Sequence, residues 1–227
     1  MSVTRTTSFS CPECDEPIDK FEVAFSVHAD RCPEQREGIL DGSFQSVTCK
    51  SCNKTFRFDP ELAYLDFKRG QFMSAKPAKE AKEWHQAEAE AGRAFNLAYG
   101  ADAPAPAQAL GKGLTLRVVF GWPALREKIV LREQGIDDID IELVKMMILR
   151  SGTSLQLSGN IELRFIDSDD ETLFLAWLDS LEETHVTDLK APRALLDEVK
   201  TADFDELRSE FDDAAYVDWN RLLVVSE

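Results

Sequence analysis

Four of the five cysteines form two C-x-x-C pairs, Cys11 with Cys14 and Cys49 with Cys52, and 34 residues separate the pairs. In a protein of the reducing cytosol, two such pairs favour metal binding over disulfides. A C-x-x-C turn directs both sulfurs to one side, so two turns complete a tetrahedral Cys₄ site with Zn–S distances of about 2.3 Å. Thiolate is a soft ligand, which favours zinc or iron over hard cations. We therefore predict one structural Zn²⁺ per chain, with a rubredoxin-like iron site or a redox dithiol as the alternatives.

The residues around both pairs are typical of a zinc ribbon. A short extended stretch precedes each pair, and a candidate hairpin strand follows it, over residues 21–25 and 55–58. Asp15 and Asn53 stand directly after the pairs, where a knuckle needs a positive φ, and Asp and Asn tolerate this conformation better than most residues. The sequence thus predicts two knuckles on two β-hairpins.

The spacer between the pairs is long enough to contain a further element. Residues 33–40 begin with proline and end before Asp41 and Gly42, which predicts a short helix with proline in its first turn. Cys32 precedes this proline without a second cysteine nearby, so it is not expected to be a metal ligand.

With these motifs the sequence resembles the CpXC protein family, named for its Cys-Pro-x-Cys motif. The resemblance is good over residues 8–75 and looser over 114–150. It implies zinc binding and no known activity. Three departures are visible: Lys50 replaces the proline of the second pair, Asp15 and Asn53 replace glycine, and Leu65 replaces a histidine. The matching stretches are Cys11-Pro12-Glu13-Cys14, residues 21–27, His28-Ala29-Asp30, Pro33-Glu34, residues 40–44 and residues 62–66.

Catalytic motifs are not evident in the sequence. It contains no Gly-rich phosphate loop, no G-x-S-x-G elbow and no H-E-x-x-H, and its three histidines are scattered. The acidic run 167–171 lacks the glycine and distal glutamate of an EF-hand loop, so it is predicted to be a solvated hairpin turn. Met146 and Met147 are predicted to fill a core. We therefore expect no enzyme activity, no catalytic residues and no cofactor besides the metal.

The net charge is −16 and is concentrated in the C-terminal half, where residues 114–227 hold 12 basic and 25 acidic groups. Such a surface repels phosphate backbones, so the chain as a whole is not expected to bind nucleic acid. Protein partners are expected instead. A nucleic-acid-binding ribbon stays an alternative because five basic residues cluster near the second pair: Lys50, Lys54, Arg57, Lys68 and Arg69. Residues 1–10 lack the apolar stretch of a signal peptide, and no run reaches the ~18 apolar residues of a membrane span, which predicts a cytoplasmic protein without a membrane partner.

The pattern of elements predicts an α+β protein in three parts. These are a zinc ribbon over residues 1–75, a helix and an Ala/Pro linker over 76–113, and an acidic α+β domain over 114–227. The predicted elements are a hairpin over 61–75, a helix over 77–99, a linker over 100–113, a strand over 114–120, helices over 123–134 and 138–150, strands over 155–157, 161–166 and 172–178, one or two helices over 192–213, and a final strand or helix over 216–225.

Overall fold

A computed structural model describes residues 3–152 and 160–222 of the protein. Both helices and strands are present, as the α+β prediction requires. The predicted strand over 155–157 and the last residues of the predicted element over 216–225 lie outside the described residues. Over the described part of the chain, no helix is both long and apolar enough to cross a bilayer.

The strands of the described chain form four sheets, two of which are small hairpins. The strands are β1 Thr4–Ser10, β2 Pro17–Ala24, β3 Ser26–His28, β4 Ser46–Thr48, β5 Thr55–Arg57, β6 Leu62–Asp66, β7 Gln71–Lys76, β8 Thr115–Phe120, β9 Ile161–Ser168, β10 Thr172–Asp179 and β11 Thr184–Pro192. The α-helices are α1 Pro33–Asp41, α2 Trp84–Tyr99, α3 Ala105–Gly111, α4 Gly121–Glu133, α5 Asp138–Arg150, α6 Leu195–Glu198 and α7 Asp205–Ser209. The described chain also contains three short 3₁₀ segments, which are Ala78–Glu83, Ala202–Phe204 and Trp219–Leu222.

The central sheet is mixed, with the strand order β3-β6-β7-β8. Strands β6 and β7 form the antiparallel hairpin predicted over 61–75, and Gly70 supplies the positive φ of 66° at its turn. Strands β3 and β8 lie parallel to their neighbours at the two edges. Helices cover both faces, which makes this part of the molecule a three-layer sandwich.

Each face of the central sheet buries its own cluster of apolar side chains. On one face Tyr64 and Met73 pack with Ile39 of α1 and with Trp122 and Ile129 of α4. On the other face, Val118 and Phe120 pack with Trp84 and Ala87 of α2. Helix α2 was predicted within one helix over 77–99, and the first turns of that segment are 3₁₀.

The expected division of the chain after residue 113 falls inside the central sheet. Strand β8 belongs to the predicted third part, yet it pairs in parallel with β7 of the first part from Gln71↔Thr115 to Lys76↔Phe120. The Ala/Pro segment over 100–113 was predicted as a linker, but it contains helix α3. Proline is tolerated in the first turn of a helix, where its missing N–H is not needed. The closing Gly111 lies against Tyr99, so this segment packs on α2.

The C-terminal half contains an antiparallel sheet in the order β11-β10-β9. Strands β9 and β10 match the predicted strands over 161–166 and 172–178. The acidic run between them is a hairpin turn, because the Asp169 carboxylate accepts the backbone N–H groups of Glu171 and Thr172. Helix α5 packs on this sheet, with Met146 and Met147 against the apolar core as predicted. Strand β11 is largely exposed and polar, which explains why its sequence gave no strand prediction.

Candidate metal centre

The first C-x-x-C pair forms the knuckle at the tip of the β1–β2 hairpin. The Cys11 carbonyl accepts the backbone N–H of Asp15 at 2.9 Å, and the Cys11 N–H donates to the Glu16 carbonyl at 2.9 Å. This ring turns the chain back on itself and requires the positive φ of 58° at Asp15. An aspartate tolerates this conformation because its short polar side chain can interact with the local backbone.

The second pair repeats the same backbone pattern at the tip of the β4–β5 hairpin. Asn53 donates its N–H to the Cys49 carbonyl at 2.9 Å, Cys49 donates to the Lys54 carbonyl at 2.9 Å, and φ of Asn53 is 58°. The two predicted knuckles are therefore present, and each presents its cysteines from the end of a two-stranded hairpin.

The fold brings the four predicted cysteines into one cluster. The Sγ atoms of Cys11 and Cys52 lie 3.7 Å apart, as do those of Cys14 and Cys49, and all four sulfurs are within 4.8 Å of one another. A tetrahedron with Zn–S bonds of about 2.3 Å has S···S edges of about 3.8 Å. The thiols thus fit a tetrahedral metal ion, and both of the 3.7 Å contacts join one knuckle to the other.

Backbone hydrogen bonds and neighbouring thiols set the pKa values within the cluster. Backbone N–H groups of Cys52 and Ser51 lower the pKa of the Cys49 thiol to about 7, against an opposing effect of desolvation. A backbone hydrogen bond at Glu16 also lowers the pKa of Cys14, but desolvation and the three neighbouring sulfurs outweigh it and raise the pKa to about 12. One thiolate among four close sulfurs therefore suppresses ionisation of another, and a cation is what would allow all of them to ionise together.

Cys32 lies outside the cluster, as the sequence indicated. It occupies the position before Pro33 at the start of α1, and the cluster that could hold a metal contains the other four cysteines. Helix α1 ends at Gly42 with a φ of 84°, which matches the predicted stop.

Four phenylalanines join the two hairpins beneath the cysteines. The Phe9 ring lies edge-on to the other three, with centroid separations of 4.6–5.8 Å, and Phe21 stacks on Phe58 at 4.8 Å. Phe56 completes the cluster from β5, and all four side chains are only partly buried. The ribbon therefore has a small aromatic core of its own.

The second hairpin is attached to the body of the protein through Arg57. Its guanidinium lies 3.9 Å from the centre of the Trp122 ring and pairs with Glu183 in the β10–β11 turn at 3.1 Å. The Trp122 indole donates to the Phe58 carbonyl at 2.7 Å, and Arg126 pairs with the same Glu183 at 2.8 Å. These contacts connect the ribbon to α4 and to the C-terminal sheet.

Two of the five basic residues considered for nucleic-acid binding are engaged within the protein. Arg57 makes the contacts just described, and Arg69 pairs with the buried Asp66 at 3.0 Å and with Glu133 at 3.4 Å. The other three are exposed: Lys50, Lys54 and Lys68.

The structure also places a network of buried ions that the sequence did not single out. Lys145 is fully buried, with its Nζ 2.6 Å from Glu127 and 3.0 Å from Glu142. Arg164 contacts Glu127 at 3.0 Å and Asp218 at 2.7 Å. Each of these groups is paired, as buried charges must be. In the sequence, Glu127 and Lys145 lie among the charged residues of two predicted helices and resemble a solvated face, so nothing local marks them as buried.

Comparison with models of protein families matches residues 9–145, more than half of the chain, to the model described as CpXC protein. The matched region crosses the knuckles, the central sheet and most of α5. No curated protein matches the chain, and no solved structure does.

Proposed function

The chain belongs to the CpXC protein family, and we propose that it is a zinc-binding interaction protein in which Cys11, Cys14, Cys49 and Cys52 hold one structural Zn²⁺. The observation that carries the proposal is the mutual distance of the four sulfurs, all within 4.8 Å of one another at the tips of two matching knuckles. A site with four cysteine ligands has no open coordination position, so it stabilises a fold and does not activate water.

The cysteines would act by joining two hairpins, each of which has little stability when it is isolated. Strands β4 and β5 have three residues each, and isolated two-stranded hairpins are marginal in water. When bound, the metal supplies the positive charge that lets four adjacent sulfurs ionise. The joined knuckles then hold the phenylalanine cluster in place, and Arg57 and Phe58 in turn are held against Trp122.

Zinc is proposed over iron because closed Cys₄ sites built from two knuckles are a common structural use of zinc, although rubredoxin-like iron uses the same ligands. Element-specific mass spectrometry of native protein, purified without added metal, distinguishes the two. We expect about one zinc per chain, lost in Cys14→Ser and in Cys52→Ser and kept in the matched control Cys32→Ser. If the protein contained iron and absorbed visible light, an electron carrier would be the better proposal. If it contained no metal, the proposal would be refuted.

The interaction role is supported by the charge of the surface. The C-terminal half carries most of the net charge of −16, and its exposed groups include the acidic turn at Asp169, Asp170 and Glu171. We propose that this acidic body engages basic surfaces of protein partners, with the ribbon as a rigid attachment.

The test for partners uses the full-length chain, since β8, the first strand of the C-terminal half, pairs with β7 of the N-terminal half. Proteins retained by the immobilised chain should be released as salt rises, because surface charges are screened within about 8 Å at physiological ionic strength. A variant that neutralises Asp170 and Glu171 should retain less. If the amount of retained protein changed neither with the salt concentration nor in the variant at Asp170 and Glu171, an electrostatic partner site would be contradicted.

A further inference from the structure

Strand β11, Thr184–Pro192, forms one edge of the antiparallel sheet in the C-terminal half. Among the described residues, β10 is the only strand that pairs with it. Residues 184–188 are exposed, and so are Lys190 and Pro192. An exposed edge strand presents unpaired N–H and C=O groups, which form a template for pairing with another strand. The side of β11 that faces away from β10, its outer edge, is therefore a surface that a further strand can extend.

The hydrogen bonds of the sheet show which backbone groups point toward this outer edge. Arg193 follows β11 and donates its N–H to the Glu171 carbonyl at 2.8 Å, on the side of β10. The direction alternates from one residue to the next in an antiparallel ladder. The N–H and C=O groups of Lys190 and Asp188 therefore point away from β10, where an added strand would meet them.

A bulge and a proline limit the part of the outer edge that can pair. The register of β10 and β11 shifts at Val186, which is the extra residue of a β-bulge. At the other end, Pro192 has no N–H to donate. The regular stretch between them is 187–191, and its middle residue is Leu189. The outer edge is thus symmetric in length about Leu189, which is what antiparallel pairing with an identical strand requires.

The charges on the strand favour the same centre. When two copies of β11 pair antiparallel about Leu189, Asp188 of each copy lies opposite Lys190 of the other. A register centred on Asp188 or on Lys190 would instead place two like charges opposite each other, which is destabilising. The sequence Asp188-Leu189-Lys190 is therefore complementary to itself in one register only among these three.

Both charged side chains are available for such a pairing. On β10, the residues opposite Asp188 and Lys190 are the uncharged Ala176 and Phe174. The Asp188 side chain is 78% exposed, and its Oδ1 lies 2.7 Å from Nε2 of His185, which leaves Oδ2 for a second cation. Lys190 is exposed, with its Nζ 5.4 Å from the centre of the Phe174 ring.

We propose that the outer edge of β11 pairs antiparallel with the same edge of a second copy of this chain, centred on Leu189. Asp188 of each copy exchanges backbone hydrogen bonds with Lys190 of the other, and their side chains form ion pairs. The two three-stranded sheets then become one continuous sheet across a two-fold axis. This inference goes beyond the proposed metal site and basic partners, since none of the four cysteines lies on β11.

Analytical ultracentrifugation of the full-length protein tests the proposal. The experiment is done at about 150 mM salt, because repulsion between two chains of net charge −16 is then screened beyond about 8 Å. The paired stretch is short, so we expect a reversible monomer–dimer equilibrium with a Kd between about 10 µM and 1 mM.

Charge reversal on the strand tests the register. Asp188→Lys places two bases opposite each other, and Lys190→Asp places two acids opposite each other, so each should raise the Kd at least about tenfold. The double variant Asp188→Lys/Lys190→Asp restores opposite charges and should return the Kd to within about threefold of the wild type. Asp102→Lys makes the same change in net charge at an exposed residue between α2 and α3, and it should dimerise like the wild type.

Amide hydrogen exchange measured by NMR locates the interface. The amides of Asp188 and Lys190 should exchange more slowly as the protein concentration rises through the Kd, whereas those of α2 should not change. Three results would each overturn the proposal. They are a protein that stays monomeric at about 1 mM, a dimer that both single charge reversals leave unchanged, and a dimer in which the Asp188 and Lys190 amides gain no protection.

Discussion

Removing the metal is expected to unfold the ribbon and to leave the central sheet intact. The four phenylalanines of the ribbon are only partly buried, so each contributes on the order of 1 kcal/mol, less than the 1.5–3 kcal/mol typical of full burial. A structural Zn²⁺ in a Cys-rich module is worth about 10–16 kcal/mol in small peptides. The proposed metal is therefore expected to dominate the stability of the hairpins, whereas the central sheet is held by its two apolar clusters.

Hydrogen–deuterium exchange with mass spectrometry measures this difference segment by segment. After chelation, or in Cys14→Ser, amides of β1, β2, β4 and β5 should exchange at least about 100-fold faster, which requires the loss of only about 2.7 kcal/mol. Amides of β6, β7 and β8 should change little, and Cys32→Ser should match the wild type. If the ribbon amides kept their protection without metal, the aromatic cluster and the Arg57 contacts would be sufficient, and the argument for a structural metal would fail.

Three further predictions concern the body of the protein. Lys145→Met should lower the free energy of unfolding by about 3 kcal/mol in urea titrations, because it removes the shared cation of two buried carboxylates and leaves Glu127 with Arg164 alone and Glu142 with Lys128 alone. The exposed control Lys79→Met should change the free energy of unfolding by less than about 0.5 kcal/mol, and similar losses in both variants would contradict the pairing. Acid should destabilise the fold below about pH 4. Asp218 is desolvated, but its ion pair with Arg164 outweighs the desolvation and lowers the pKa of this carboxyl from 3.8 to about 2. The stability that the ionised Asp218 contributes is present above its unfolded pKa and is lost as the pH falls through its folded pKa, so a thermal midpoint that stays flat from about pH 5 to 2 would be inconsistent with this ion pair. Gly70→Ala should destabilise by about 1–3 kcal/mol in the same titrations, because its φ is 66° and a Cβ would lie 2.4 Å from the Gly113 carbonyl; an unchanged midpoint would refute this.

The knuckles could be predicted from the sequence because every signal for them is local. Each signal lies within a few residues of the knuckle that it predicts. The signals are the cysteine spacing, the extended residues before each pair, and Asp15 and Asn53 after the pairs. The positive φ of 58° at both positions follows from that local chemistry. The short helix between the pairs is likewise fixed by Pro33 at its start and Gly42 at its end.

The central sheet could not be predicted because its pairing is nonlocal. The strand over 114–120 was recognisable, but nothing in it identifies β7 as its partner, and parallel pairing across a 38-residue connection leaves no local pattern. The Ala/Pro segment suits a flexible linker as well as a helix with proline in its first turn. Packing against Tyr99 decides between the two, and composition does not contain that information.

The buried ions show a similar limit for α4 and α5. Periodicity identified Leu125 and Ile129 as core positions, and the charges between them resemble a solvated face. Glu127 is nevertheless 1% exposed, since Lys145 and Arg164 approach it from α5 and β9. Whether a charge is solvated or buried depends on a partner from another element, which a single helix cannot reveal.

The connection between ribbon and body has a consequence for how the metal site acts. Glu183 sits in the β10–β11 turn with a φ of 51° and receives Arg57 from the ribbon and Arg126 from α4. If the hairpin carrying Arg57 unfolds, Glu183 loses one of its two cations and Trp122 loses the cation over its ring. We therefore expect the exchange rates of the β10–β11 turn to rise on metal removal, although this turn lies more than 120 residues from the last cysteine. On this prediction, the cysteine cluster would determine the order of one edge of the acidic sheet as well as the fold of its own ribbon.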